Sequence, residues 1–238
     1  MSARALLISS FLILILISTV VNAQSVRFND DSDWWSILRE DNGFEVKPKP
    51  TALDDLSFQI AGVSLGEKQF QQLASKFGKT TEIERGDAAT GRNQVCYQSA
   101  KDGKTIHLIF EFGEVEEIFY LFAGGEEWKG SDLCAKSKLV SPSLSTASGL
   151  RLGLTKSQVE AILGPPDFVS GERIVYFREV KKKTTAIEFE QMRKDYPRVL
   201  SDQEAHAKFD FFDVDMYVVA KFVNAKLNYL AVSRTETD

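Results

Sequence analysis

Gly62-Val63-Ser64-Leu65-Gly66 has the G-x-S-x-G spacing in which a serine held on a sharp strand-to-helix turn can act as a nucleophile. It lies between an apolar run, Leu56 to Ile60, and a helical pattern, and acids and then His206 follow it in the order such hydrolases use. Read alone, this frame predicts a serine hydrolase using Ser64. The frame returns, however, as Gly149-Leu150-Arg151-Leu152-Gly153, with Arg151 in the place of Ser64. Glycines and leucines used twice answer to turn geometry and packing, so no catalytic residue is expected and the hydrolase is kept as the alternative.

Other chemistry-bearing residues are sparse. The chain has two His, His107 and His206, and two Cys, Cys96 and Cys134, too few to close a Cys/His zinc site. No metal and no cofactor is expected. Asp210, Asp213 and Asp215, beside Phe209, Phe211 and Phe212, read as an exposed turn entering a strand, because no further carboxylate is placed to complete a hard-cation shell. Asn29-Asp30-Asp31-Ser32-Asp33 lacks the Gly and the closing Glu of a calcium loop. Lys181-Lys182-Lys183 reads as a solvated loop. The formal net charge of -5 leaves no basic footprint that would neutralise phosphates, which argues against nucleic acid as a partner.

The N-terminus follows the order of a secretory signal: Arg4, an apolar run from Ala5 to Val21, and small residues in Val21-Asn22-Ala23. The mature chain is expected to begin near Gln24 and to act in the periplasm or outside the cell, with no membrane span. No Cys follows the cleavage site to carry a lipid. Export changes how Cys96 and Cys134 are read, because an oxidising compartment lets a pair close and persist; the other reading is two buried thiols. Neither Cys has a His close in sequence that would mark it as a nucleophile.

These residues are carried by a pattern that occurs twice. Glu67 to Phe77 predicts a helix with Phe70, Leu73, Ala74 and Phe77 on one face, stopped at Gly78. Thr155 to Leu163 predicts a second, with Thr155 and Gln158 at capping-box spacing and Gly164-Pro165-Pro166 as the stop. Both are too short to persist alone and must lie on a sheet. Strands are expected at Gln94 to Gln98, Thr105 to Phe112 and Val115 to Phe122, and again at Arg173 to Phe177, Met216 to Val223 and Lys226 to Arg234, the last two joined at Asn224-Ala225. The fold class is therefore α+β, two tandem units, each a short helix packed on an antiparallel sheet. The organisation is a signal peptide (1–23), an N-terminal arm (24–55) whose Trp34-Trp35 docks on the body or on a partner, a first unit (56–135), a linker (136–148) and a second unit (149–238) with a polar insertion at 181–206.

The frame Gly149 to Gly153, then Thr155, Val159, Leu163-Gly164-Pro165-Pro166 and Phe222-Val223-Asn224-Ala225-Lys226-Leu227, resembles the small α/β unit of the SmpA/OmlA outer-membrane assembly proteins. A tandem of such units is similar to the β-lactamase inhibitor proteins. The resemblance spans roughly Leu56 to Arg234 and implies a non-enzymatic protein that binds another exported or envelope protein, as an inhibitor or an assembly factor, through the sheet face turned away from the helices. The chain departs from the assembly proteins in lacking their lipid-bearing Cys and in having the unit twice.

Alternation gives the faces. In the first hairpin Ile106, Leu108, Phe110, Val115, Phe119 and Leu121 make the better core face, while His107, Ile109, Glu111, Glu116, Ile118 and Tyr120 share the other. In the second, Tyr217, Val219, Lys221, Asn228 and Leu230 are assigned to the mixed face. Tyr120, Ile118, His107, Tyr217, Lys221 and Leu230 are the candidate partner-binding residues, with His107 a surface residue. A small-ligand binder with its site between two sheets is the third reading.

Overall fold

The computed structural model describes residues 53–66, 70–85, 91–99, 105–113, 116–124, 133–195 and 201–237. The expected signal peptide, Trp34-Trp35, most of the arm and Val115 lie outside the described residues.

The chain is a mixed, sheet-rich α+β protein. A 3-10 turn, Asp55–Phe58, leads into the small hairpin β1 (Gln59–Ile60) and β2 (Val63–Ser64), followed by α1 (Phe70–Phe77), β3 (Glu82–Arg85), β4 (Arg92–Ser99), β5 (Ile106–Phe112), β6 (Glu116–Ala123) and β7 (Ala135–Ser137). Then come α2 (Lys156–Leu163), β8 (Phe168–Ser170), β9 (Arg173–Lys183), α3 (Ala186–Asp195), α4 (Asp202–Phe209), β10 (Phe211–Val223) and β11 (Lys226–Thr237). No described helix is long and apolar enough to cross a membrane.

Apart from the β1-β2 hairpin, the described strands join one sheet in the order β3-β4-β5-β6-β11-β10-β9-β8, antiparallel along this path, with β7 added parallel to β4. β6 and β11 meet at its middle, from Tyr229 opposite Phe122 to Thr235 opposite Glu116. Among the described residues, the strands expected as two sheets therefore lie side by side in one. A pocket of about 370 Å³, lined by Ile106, Ala123, Leu152, Leu227 and Asn228, sits at the end of this central pairing.

The period of the two short helices was legible, and their caps make them stop where they do. Thr155 accepts from the Gln158 backbone N–H while the Gln158 side chain accepts from the Thr155 N–H, and Gly164 ends the helix at φ 81°. Val159 and Leu163 go fully into the core, and Tyr176, also buried, donates to the Gly164 carbonyl at 3.1 Å. In α1, Leu73 and Phe77 are buried, Phe77 against Tyr97 and Phe110, but Ala74 is exposed, so the apolar stripe is narrower than its sequence suggests. Each large apolar side chain buried this way contributes roughly 1.5–3 kcal/mol.

Segments read as linker, solvated loop and exposed turn carry regular structure or packing. The stretch 136–148, read as the linker, is packed on the body: β7 ends in it, Val140 is buried, and Ala147 and Ser148 donate backbone hydrogen bonds to Gln59 and Leu56. Lys181-Lys182-Lys183 is the end of β9, paired residue by residue with Phe211-Phe212-Asp213 of β10, and Asp213 and Asp215 lie within that strand. Helices α3 and α4 then occupy most of the expected insertion; Phe189 stacks on His206, and His206 Nδ1 lies 2.7 Å from Asp210.

Candidate functional site

Alternation along paired strands sorts every side chain of the sheet to one of two faces. The helix side carries Leu108, Phe110, Phe119, Leu121, Tyr176, Val218, Leu230 and Val232 in one continuous core. The opposite side carries a second cluster, including Cys96, Ile109, Ile118, Tyr120, Phe122, Val175, Val219, Tyr229 and Ala231, with Tyr217 and Phe168 packed against it. Cross-strand register aligns these into rows: Gln98, His107, Phe122, Tyr229, Lys221 and Arg173 form one, and Cys96, Ile109, Tyr120, Ala231, Val219 and Val175 the next.

Leu230 is not on that face. The turn Asn224-Ala225, both residues in the left-handed region, pairs Phe222 with Leu227 as a two-residue hairpin should, but a bulge then sets Lys221 opposite Tyr229. Asn228 is the extra residue. Every side chain beyond it changes face, which sends Leu230 into the helix-side core at 0% exposure and brings Tyr229 to the row of Phe122 and Lys221.

Of the remaining candidates, Tyr217 and Lys221 are half-buried, whereas His107, Ile118 and Tyr120 are buried, at 1%, 1% and 5% exposure. The expectation of a surface His107 is corrected: β5 is an interior strand, Phe122 stacks on the imidazole at 5.1 Å, and the Cys96–Cys134 disulfide lies beside it. The ligand atoms of Cys96, Cys134 and His107 are all within 4.8 Å of one another. Burial lowers the His107 pKa to about 4, because the charged imidazolium would be stranded away from water.

The disulfide joins β4 to the residue before β7, with Cα atoms 4.5 Å apart. Thr80 donates to the Cys96 carbonyl at 3.1 Å and the Gln98 amide to the Cys134 carbonyl at 3.0 Å, so the backbone is held on both sides of the bridge. A Cβ at Gly124 would come within 3.2 Å of His107 Nε2, which is why the imidazole can lie as close to this chain segment as it does.

Farther along the same face is a polar network that motif reading did not find. Gln94 donates to Glu111 at 2.6 Å, Tyr120 donates to the other Glu111 oxygen at 3.3 Å, Arg92 pairs with Glu116 at 2.6 Å, and Ser233 donates to Glu116 at 3.1 Å. Burial, then the charges of Glu111, Tyr229 and Glu116, push the Tyr120 hydroxyl well above the usual phenol range, so it stays a donor. Beyond it, burial and the neighbouring Glu179 and Asp213 raise the pKa of Asp215. The i, i+2 spacing of Gln94 and Cys96 was a signal for their shared face; the partners across strands were not in the sequence.

Ser64 lies in the two-residue strand β2, where its hydroxyl accepts from the Gln59 amide at 3.1 Å. His206 is engaged with Asp210 and Phe189, and His107 with Phe122. The two glycine frames adopt one conformation: Gly62, Gly66, Gly149 and Gly153 all have positive φ, and Val63, Leu65, Leu150 and Leu152 are buried while Ser64 and Arg151 are not.

No protein-family model matches the chain, and no curated protein and no solved structure matches it either.

Proposed function

We propose that this chain is an exported, non-enzymatic protein-binding protein, built from two α+β units that share one sheet, and that its partner is another exported or envelope protein. Support for two units comes from the repeated glycine frame with its repeated conformation and from the strand order, in which β3 to β6 and β8 to β11 run inward from the two edges to the central β6-β11 pairing. The resemblance to tandem SmpA/OmlA-like units implies the same arrangement. Export is supported by the signal-like N-terminus and by the disulfide.

The observation that carries the binding reading is the half-buried strip Arg173, Lys221 and Tyr217 on the face away from the helices, with Tyr217 packed on Phe177 at 4.6 Å. Arg and Tyr over an apolar base are the residue types that protein interfaces favour. The contact surface is therefore assigned to the β9-β10 half of this face. Tyr120, Ile118 and His107 support it from within.

Photo-crosslinking tests this assignment. A crosslinking amino acid at position 217 or 221 of the full mature chain, exposed to envelope and medium fractions, should capture one discrete protein, and the same group at the exposed Lys156 on α2 should not. Tyr217→Asp should abolish capture through position 221. Equal capture from 156, or none from 217 and 221, refutes the surface.

A further inference from the structure

Cys96, Cys134 and His107 form a compact buried donor set on the β4-β5 side of the sheet, away from the β9-β10 half assigned to the partner. Cys96 pairs with Ile109 and Gln98 with His107, so Cys96 and His107 are diagonal neighbours on adjacent strands and project from the same face. Cys134, at the start of the segment that adds β7 to the outer side of β4, brings the third donor over them. All three residues are buried and their donor atoms lie within 4.8 Å of one another. We propose that the reduced protein binds one copper(I) ion through Cys96, Cys134 and His107, and that the disulfide is the closed, metal-free state of the same site.

Two thiolates and an imidazole are soft and borderline donors, the set that selects a soft monovalent ion over calcium or magnesium. Three donors are too few for the closed tetrahedron that structural zinc takes. They are enough for copper(I), which accepts low coordination. Metal–ligand bonds of about 2.0–2.3 Å put the donors of a trigonal site about 4 Å apart; the imidazole already lies within 4.8 Å of both sulfurs, which separate when the bond between them is reduced. The backbone is set to stay in place when they do, since the bonds from Thr80 and Gln98 to the flanking carbonyls do not depend on the bridge. Phe122 fixes the imidazole plane, and Gly124 leaves it room.

Opening the site requires a dithiol reductant. One donor thiolate attacks a sulfur of the Cys96–Cys134 bond, its second thiol resolves the mixed disulfide, and the donor leaves as its own disulfide; two electrons and two protons pass to the two cysteines. Copper(I) then displaces those two protons to solvent, with no change in its own oxidation state.

The test is an anaerobic competition titration of the full mature protein against a chromogenic copper(I) chelator, using copper(I) alone as the probe. The reduced protein should hold one equivalent, the oxidised protein none, Cys96→Ser none, and His107→Gln should bind at least about tenfold more weakly. Circular dichroism on the same samples reports whether the reduced fold persists. Binding by oxidised protein, unchanged affinity in His107→Gln, or loss of the native spectrum on reduction overturns the proposal. Because the site on β4 and β5 is separated from Tyr217 on β10 by the intervening strands β6 and β11, failure here leaves the partner reading standing, and the converse also holds.

Discussion

His107 gives the sharpest test of the folded state, because its environment sets a pH window and a magnitude. Its pKa is about 4 in the folded chain, lowered by burial, against about 6.5 when unfolded. Above pH 6.5 the residue is neutral in both states and contributes no pH dependence. As the pH falls from 6.5 to 4 the unfolded chain takes up a proton that the folded chain refuses, so stability is lost progressively; below 4 both are protonated and the loss stops. The gap, at about 1.4 kcal/mol per pH unit, amounts to about 3 kcal/mol. Carboxylates titrate in part of the same window, so the informative quantity is a difference. Urea unfolding of oxidised wild type and of His107→Gln, from pH 7.5 to 4 in steps of about half a unit, should show wild type losing about 3 kcal/mol more than the variant. Most of that difference should appear between pH 6.5 and 4.5, above the range where most carboxylates titrate. Parallel curves would refute the claim that the imidazole is held neutral by burial.

Replacing Cys96 and Cys134 together by Ser should lower stability by about 3–4 kcal/mol in a denaturant titration, since the bridge closes a loop with sequence separation 38. Thr155→Ala removes the reciprocal cap of α2 and should cost about 1 kcal/mol, with Thr155→Ser restoring most of it. Gly66→Ala should destabilise more than Gly78→Ala by thermal melting: both glycines have positive φ, but an added Cβ at 66 meets the Arg234 guanidinium while at 78 it meets nothing. Equal melting points for those two would mean that Arg234 moves aside freely.

Much of the local structure follows from residue order alone, because it depends on neighbours within a few positions. The capping box at Thr155 and Gln158, the stop at Gly164, the hairpin at Asn224-Ala225 and the core face of Ile106, Leu108, Phe110, Phe119 and Leu121 are of this kind. So is the pair of glycine frames, whose shared conformation needs nothing beyond glycine's access to positive φ. The pairing of Cys96 with Cys134 was deducible by elimination once export was assumed.

What only the tertiary structure decided is everything set by pairing between distant strands. One inserted residue, Asn228, reverses the facing of all of β11 beyond it, and no alternation count reveals a bulge, so Leu230 was read onto the wrong face. The joining of β6 to β11 turned the expected two sheets into one. The burial of His107 depends on Phe122 and on a disulfide that arrives from 27 residues later in the chain, and the network of Gln94, Glu111, Tyr120, Glu116 and Ser233 on four separate strands. Local order fixes which way a side chain points along its own strand; only the register between strands fixes what it meets there.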